Sequence, residues 1–580
     1  MRTAFLSLAV TSALLGCEGS ILGERPTPTE PRPNPTVEVP GGGTYTSPFA
    51  CDPARETTTA TPLRRLSVAQ YRNTLRDLFA PAPDFDALTV SASGLAKLPI
   101  DDDALPFASL DLRFSEDHLT AWYEVSDALA SAVTNTPTTL TALAGSCATQ
   151  ATASVACING FLDRFAARAY RRPLTAEERA RYLALNDGSR DGKELFRALV
   201  FSVLMAPQFL YHPEVNGTED ATGTTLALDR YELASRLSFH FWQSMPDDAL
   251  LAAAADGSLL TEDGYRAQVE RLMADPRART TFAGFYAEWF HTGRVTRLPT
   301  SAAFLAFADG VTLDPKDADA EIEALTGYFT WDHPGALKDL FTTQLSFARS
   351  PQLAALYGVQ PWDGVSAPPS LPADQRAGLL TRSAFLLTGT HTTHPIHRGA
   401  AVRRRVLCDE LPAPTALPPD ALTPPAPHPG LTTRQRFENK VANQPCAGCH
   451  VAINPIGYVL EQYDALGRFR TQEKIFDEST GALLNTLPVD SKAVAAVLAD
   501  DPSLISTGAE LSQKVAVSGK AEACFARQYF RFTTRRMETT ADACVLERLR
   551  TITAAEDPGS LQTAFKQLAL DPTFRTRKVE

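Results

Sequence analysis

Six consecutive residues, Pro445-Cys446-Ala447-Gly448-Cys449-His450, constrain this chain more than any other stretch. Cys-x-x-Cys-His is the attachment signature of a c-type haem. Two thiols three residues apart lie on one side of a helical turn, where they reach the two vinyl groups of one porphyrin. The next residue, His450, then points its imidazole at the iron as proximal ligand. The chain holds 9 Cys and 10 His in 580 residues, so a chance match is expected in roughly 0.2% of such chains. A redox dithiol leaves the adjacent His450 unexplained. A tetrahedral zinc site lacks the second Cys-x-x-Cys it needs. The expected cofactor is one covalent haem c on Cys446, Cys449 and His450, with a thiol or disulfide pair and zinc as the alternatives. Pro445 suits the first turn of the haem helix. Asn454-Pro455 predicts that this helix is short and that a second begins there, with Asn454 as N-cap and Pro455 at N1. The second helix would carry Val459, Leu460 and Tyr463 inward and end at Gly467.

Haem attachment of this kind requires export in bacteria, and the N-terminus reads as an address. Arg2 is followed by a short apolar core, Ala4 to Leu15, too short to span a bilayer as a mature helix. Leu14-Leu15-Gly16-Cys17 is similar to a bacterial lipobox, which implies cleavage before Cys17 and lipidation of that residue. An ordinary signal peptide cut near Ser20 is the alternative. Either exports the chain, facing the periplasm or the cell exterior, and the lipobox reading adds a lipid anchor as the expected membrane contact. Residues 24–48, rich in Pro and Gly, read as a tether. Phe196 to Tyr211 is the next most apolar segment, but Arg197 and Pro207 make it a buried helix. Net charge is −12, so no nucleic-acid partner is expected, and Arg403-Arg404-Arg405 reads as a solvated face.

An oxidising compartment predicts paired cysteines. Removing Cys17, Cys446 and Cys449 leaves an even six. Chain proximity favours Cys147–Cys157 and Cys524–Cys544, which leaves Cys51–Cys408. Six buried thiols are the alternative.

The body reads as mainly α, in several helical modules with a c-type haem module toward the C-terminus. Capping boxes stand at Ser67/Gln70, Thr175/Glu178 and Thr432/Gln435, and Asp229 with Glu232 opens another helix. Leu233, Leu237 and Phe241 share one face of that helix. The chain is long for one core. The expected organisation is a signal peptide (1–16), a tether (17–50), helical modules (51–145, 146–222 and 223–372), the haem module (373–475) and a C-terminal helical module (476–580). Prolines crowd residues 412–430, which read as an extended wrapping loop.

Several stretches then make a pattern. Leu66-Ser67-Val68-Ala69-Gln70-Tyr71-Arg72-Asn73-Thr74-Leu75-Arg76-Asp77-Leu78 is followed by Arg168-Ala169-Tyr170-Arg171-Arg172-Pro173-Leu174. Leu233-Ala234-Ser235-Arg236-Leu237-Ser238 and Met245-Pro246-Asp247-Asp248 come next, then Arg376-Ala377-Gly378-Leu379-Leu380-Thr381 and Arg398-Gly399. Last come the haem motif with Asn454-Pro455-Ile456-Gly457, and Asp464-Ala465-Leu466-Gly467-Arg468. Over roughly residues 60–570 the chain resembles the planctomycete-type cytochrome c multidomain proteins, found also in myxobacteria, whose modules are mostly of unknown function. The resemblance implies a haem-c module near residues 374–472 and no substrate. Two features depart from it. His391, His394 and His397 crowd a segment where the family has Ser or Thr before Pro395. The haem motif also lies late in its module, so a small-cytochrome fold is not assumed.

His391, His394 and His397 at three-residue spacing form a candidate metal site, although Pro395 separates them and a loop of solvent-facing or hydrogen-bonded histidines is the preferred reading. The distal iron ligand is expected from His397 or Met537, or the iron is five-coordinate. Arg468 and Arg470 are candidate partners of the haem propionates, with ordinary surface arginines as the alternative. Asp247 and Asp248 read as cap and dipole partners, and no hydrolase or phosphate-binding motif is present. Both motif thiols should face one cavity large enough for a porphyrin. The expected function is electron transfer, or service as redox partner of an oxidative enzyme. The alternatives are a haem-dependent oxidoreductase (peroxidase-like or polymer-oxidising) and a cell-surface binding scaffold.

Overall fold

The computed structural model describes residues 34–578 apart from 35, 41, 54–62, 102–106, 108–113, 412–420 and 444–445. Cys17, the address segment and Pro445 lie outside the described residues. The protein is mainly α, and its few strands are short. The expected capping boxes form: Ser67 and Gln70 open the helix Val68–Phe79, Thr175 and Glu178 open Ala176–Leu183, and Thr432 and Gln435 open Thr433–Val441. Among the described residues no helix is long and apolar enough to cross a membrane. The segment around Phe196 folds as the buried helix Gly192–Leu204.

Apolar side chains gather in two cores. The smaller runs from Leu66 to Leu210 and takes in Phe239 and Met245. The larger runs from Leu228 to Phe574 and takes in Tyr45, Phe49 and Phe107. The helix Arg230–Trp242 joins them. It sends Leu233, Leu237 and Phe241 into the larger core and Phe239 into the smaller, which is why it is apolar on more than one face. Antiparallel strands tie distant segments together. Thr576–Lys578 pairs with Thr225–Ala227, setting Thr576 opposite Ala227, and Arg64–Arg65 pairs with Tyr211–His212. The longest hairpin sets Gln472 opposite Pro488, directly after the haem-motif region.

The latter half of the tether is part of the fold. Thr36–Glu38 and Thr44–Thr46 form a hairpin, Thr44 binds Asp500, and Ser47 donates to Glu547. The cysteine pairing differs from expectation in two of three bonds. Cys147 pairs with Cys157, but Cys51 pairs with Cys544, and Cys408 with Cys524. Neither Cys524–Cys544 nor Cys51–Cys408 forms. Cys524 sits ten residues before the end of Lys520–Thr534, about 15 Å of helix rise, whereas Cys544 starts Ala543–Ala554, so a helical hairpin holds them at opposite ends.

Candidate haem-attachment site

The motif lies on one helix, Cys446–Val459. The expected break at Asn454-Pro455 is absent, and Pro455 lies inside the helix. The missing Pro455 N–H leaves the carbonyl of Val451 without its donor, but Val451 is 72% exposed and water can replace it. Leu460–Gln462 continues the helix as a 3-10 turn, and Gly467 belongs to the turn that follows.

Tertiary packing holds the helix through its proline. The short helix Pro395–Ala401 crosses it at the closest approach two backbones allow. A Cβ on Gly399 would lie 2.1 Å from the carbonyl oxygen of Ile453, and one on Gly457 would lie 1.9 Å from that of Pro395. Both glycines are therefore required by contact. Arg398, beside Gly399, is 2% exposed and donates to the carbonyls of Leu386, Leu460, Tyr463 and Asp464 at 2.6–2.9 Å. Burial pulls its guanidinium down to about 10, although Glu461 at 3.6 Å opposes the shift. Arg376 donates to Gly467 and Thr381 and lies 4.3 Å over the Tyr357 ring. These stretches secure the C-terminal end of the motif helix.

The first turn carries the chemistry. Among the described cysteines, Cys446 and Cys449 are the two free thiols; Cys446 is half-buried and Cys449 exposed. His450 follows, and its ring lies against Asn454: Nδ1 donates to Oδ1 of Asn454 at 3.0 Å, and Nδ2 of Asn454 donates to the Tyr458 hydroxyl at 2.9 Å. Asn454 and Tyr458 are buried. Burial pushes the Tyr458 phenol up to about 12, and the Arg434 guanidinium lies 4.7 Å over its ring. With Nδ1 engaged, Nε2 is the nitrogen left for a metal. Two free thiols and one oriented imidazole on adjacent turns fit the attachment of one haem c. A pre-formed cavity in front of them was expected, but Cys449 stands at the surface. A cleft of about 750 Å³ is walled elsewhere, by Asn73, Trp242, Gln243, Gly284, Glu288 and Arg294 among others.

The remaining candidate residues are placed as follows. Arg468 binds Asp464 at 2.5 Å and the carbonyls of Phe307 and Ala308. Arg470 binds the carbonyl and, at 3.0 Å, the carboxylate of Glu461. Both lie past the C-terminal end of the motif helix, and these contacts engage their donors within the protein. Arg403 is a correction. It is buried, donates to Ala452, Ala495 and Ala496, and pairs with Asp409, whereas Arg404 is exposed. His397 and His394 stack with ring centroids 3.5 Å apart, and His394 caps its own helix by accepting the His397 N–H. Pro395 and Gly399 face the motif helix, so His397, two residues from each, lies on the opposite side. Burial and the neighbouring His397 pull the His394 imidazole down to about 4. Among the described residues no cluster of three or more His, Cys, Asp or Glu is arranged to hold a metal ion. Met537 is half exposed, between Arg536 and Glu538, which pair with Asp542 and Arg531.

Asn454 as partner of His450 was not read from the sequence. The signal was there: His450, Asn454 and Tyr458 recur at i, i+4 and i+8, one face of a helix, provided the helix passes through Pro455.

Three family models match the chain. PSD5, a protein of unknown function (DUF1595), covers residues 157–214; PSD4, a protein of unknown function (DUF1592), covers 228–359; and PSCyt3, a protein of unknown function (DUF1588), covers 376–473. No curated protein and no solved structure matches it. The third match contains both the motif helix and the helix that crosses it. The three are planctomycete cytochrome c-type domains, and the chain belongs to that multidomain family.

Proposed function

We propose that the protein is an exported, lipid-anchored monohaem cytochrome c that transfers electrons, or serves as redox partner of an oxidative enzyme. One observation carries the reading: the two cysteines left free among those described lie on one helical turn, directly before an oriented histidine. The three disulfides among the other cysteines support an oxidising compartment. When bound, the haem supplies a reversible one-electron change at iron. Cys446 and Cys449 would hold it by thioethers and His450 would bind it through Nε2, while Asn454 fixes the ring. The rest of the chain keeps that helix rigid through Arg398, Gly399 and Gly457. Of the two candidate distal ligands, His397 lies on the side of its helix away from the motif, which leaves Met537 as the candidate to test by replacement with Ala.

The expected spectrum of the periplasmically matured protein is that of a low-spin, six-coordinate iron. A high-spin spectrum that shifts with cyanide or peroxide would contradict electron transfer and favour a haem-dependent oxidoreductase. The cleft away from the motif favours a second reading, a binding scaffold. A chain lacking Cys446 and Cys449 that still bound the cell-surface material retained by the intact protein would support that reading.

A further inference from the structure

The helix keeps an Asn-Pro pair in its interior, where local rules oppose it. The residue before proline is disfavoured in the α region, and proline removes a helix hydrogen bond. Natural chains break local rules chiefly where a site requires it. The residue held in this unfavourable place is Asn454, 6% exposed, with both ends of its amide engaged: Oδ1 with His450 and Nδ2 with Tyr458. Tyr458 is itself fixed, buried under the Arg434 guanidinium, which is held by Glu438 at 2.9 Å and by the Lys492 carbonyl at 2.9 Å. The chain His450–Asn454–Tyr458 is thus anchored at its far end.

We propose that Asn454 is a positioning residue that sets the reduction potential of the site, with Tyr458 as its support. The inference rests on the haem reading above. An imidazole whose Nδ1–H is held by an acceptor is turned to a fixed angle and made a stronger donor at Nε2, which favours the ferric over the ferrous state. The acceptor is a neutral side-chain amide. The position is therefore tunable: a carboxylate would strengthen the bond, and an aliphatic side chain would abolish it.

The test compares full-length, haem-loaded wild type with Asn454→Leu, Asn454→Asp and Tyr458→Phe, by spectroelectrochemistry and covalent haem content. Asn454→Leu should raise the ferrous-to-ferric ratio at fixed ambient potential roughly tenfold, and Asn454→Asp should lower it. Tyr458→Phe should move it in the direction of Asn454→Leu by less. A role in folding alone would alter haem yield or melting temperature but would not move the potential in opposite directions for Leu and Asp. Asn454→Leu and Asn454→Asp at the wild-type potential with full covalent haem would overturn the proposal and leave the haem reading intact. Should Asn454→Leu not load haem, the Asp and Phe variants decide in the same way. The haem-free full chain gives an independent readout. Nitrogen-15 spectra of His450 are expected to show the Nδ1–H tautomer in wild type, and an Nε2–H tautomer there would overturn the proposal without bearing on covalent attachment.

Discussion

Arg398 shows how differently one residue reads in sequence and in structure. As part of Arg398-Gly399 it marked a family resemblance and nothing more. In the fold it gathers three backbone carbonyls at the end of the motif helix and a fourth from Leu386. Arg398→Met would leave these carbonyls buried without a donor and Glu461 with Arg470 as its remaining cation. It should destabilise the protein by about 3–5 kcal/mol in chemical denaturation. No sequence pattern announces this, because the partners are main-chain atoms, three of them more than 60 residues away. Arg468 and Arg470 likewise bind main-chain carbonyls, of Phe307, Ala308 and Glu461, that no sequence pattern announces. Glu522 carries a second expectation at this scale. It is 8% exposed, and desolvation raises its carboxyl from 4.5 to about 7. The folded state therefore holds a proton that the unfolded state has released above pH 4.5. The stabilisation is complete below that pH and is lost as pH rises through about 7. Glu522→Gln should remove this loss and gain at most roughly 3 kcal/mol at pH 8, with little change at pH 4. Urea titrations of both proteins at the two pH values measure it, and equal stabilities at pH 8 would refute it.

Elements were legible where their signals are local. Capping boxes at Ser67, Thr175 and Thr432 and the helix opened by Asp229 appear as read, because cap and partner lie three residues apart. The motif helix was misread at the one point where tertiary contact overrides a local rule. Asn454-Pro455 signals a helix start, yet the crossing helix clamps the chain straight through it. That contact has its own test. Gly457→Ala places a methyl where the Pro395 carbonyl stands, so the two helices must separate. The expected loss is about 3 kcal/mol, seen as a lower melting temperature of the haem-free chain. An unchanged melting temperature would mean that the crossing is looser than described. Of the site itself, the two thiols and His450 were legible because their spacing is the chemistry. Asn454 was hidden because its relation to His450 depends on the helix continuing.

Over the whole molecule, long-range ties replace the sequential pairing that chain proximity implied. Cys51–Cys544 joins residues 493 apart, and the N-terminal hairpin lies against the same C-terminal region through Asp500 and Glu547. Replacing Cys51 and Cys544 together by Ser should cost about 4 kcal/mol in oxidised protein and nothing further on reduction of that pair. Melting with and without reductant separates these outcomes. The two cores, the bridging helix Arg230–Trp242 and the strand pair Thr576–Lys578 with Thr225–Ala227 make a frame that spans the chain. On that frame the motif helix presents Cys449 at the surface, with Cys446 and His450 half-buried beside it. The most direct measurement is a pyridine haemochrome assay, with intact mass, on the full chain matured in an oxidising compartment and washed with acid-acetone. The account expects one c-type haem retained per chain, and none after Cys446→Ser with Cys449→Ser. Loss of all haem from the wild type in the wash would contradict it.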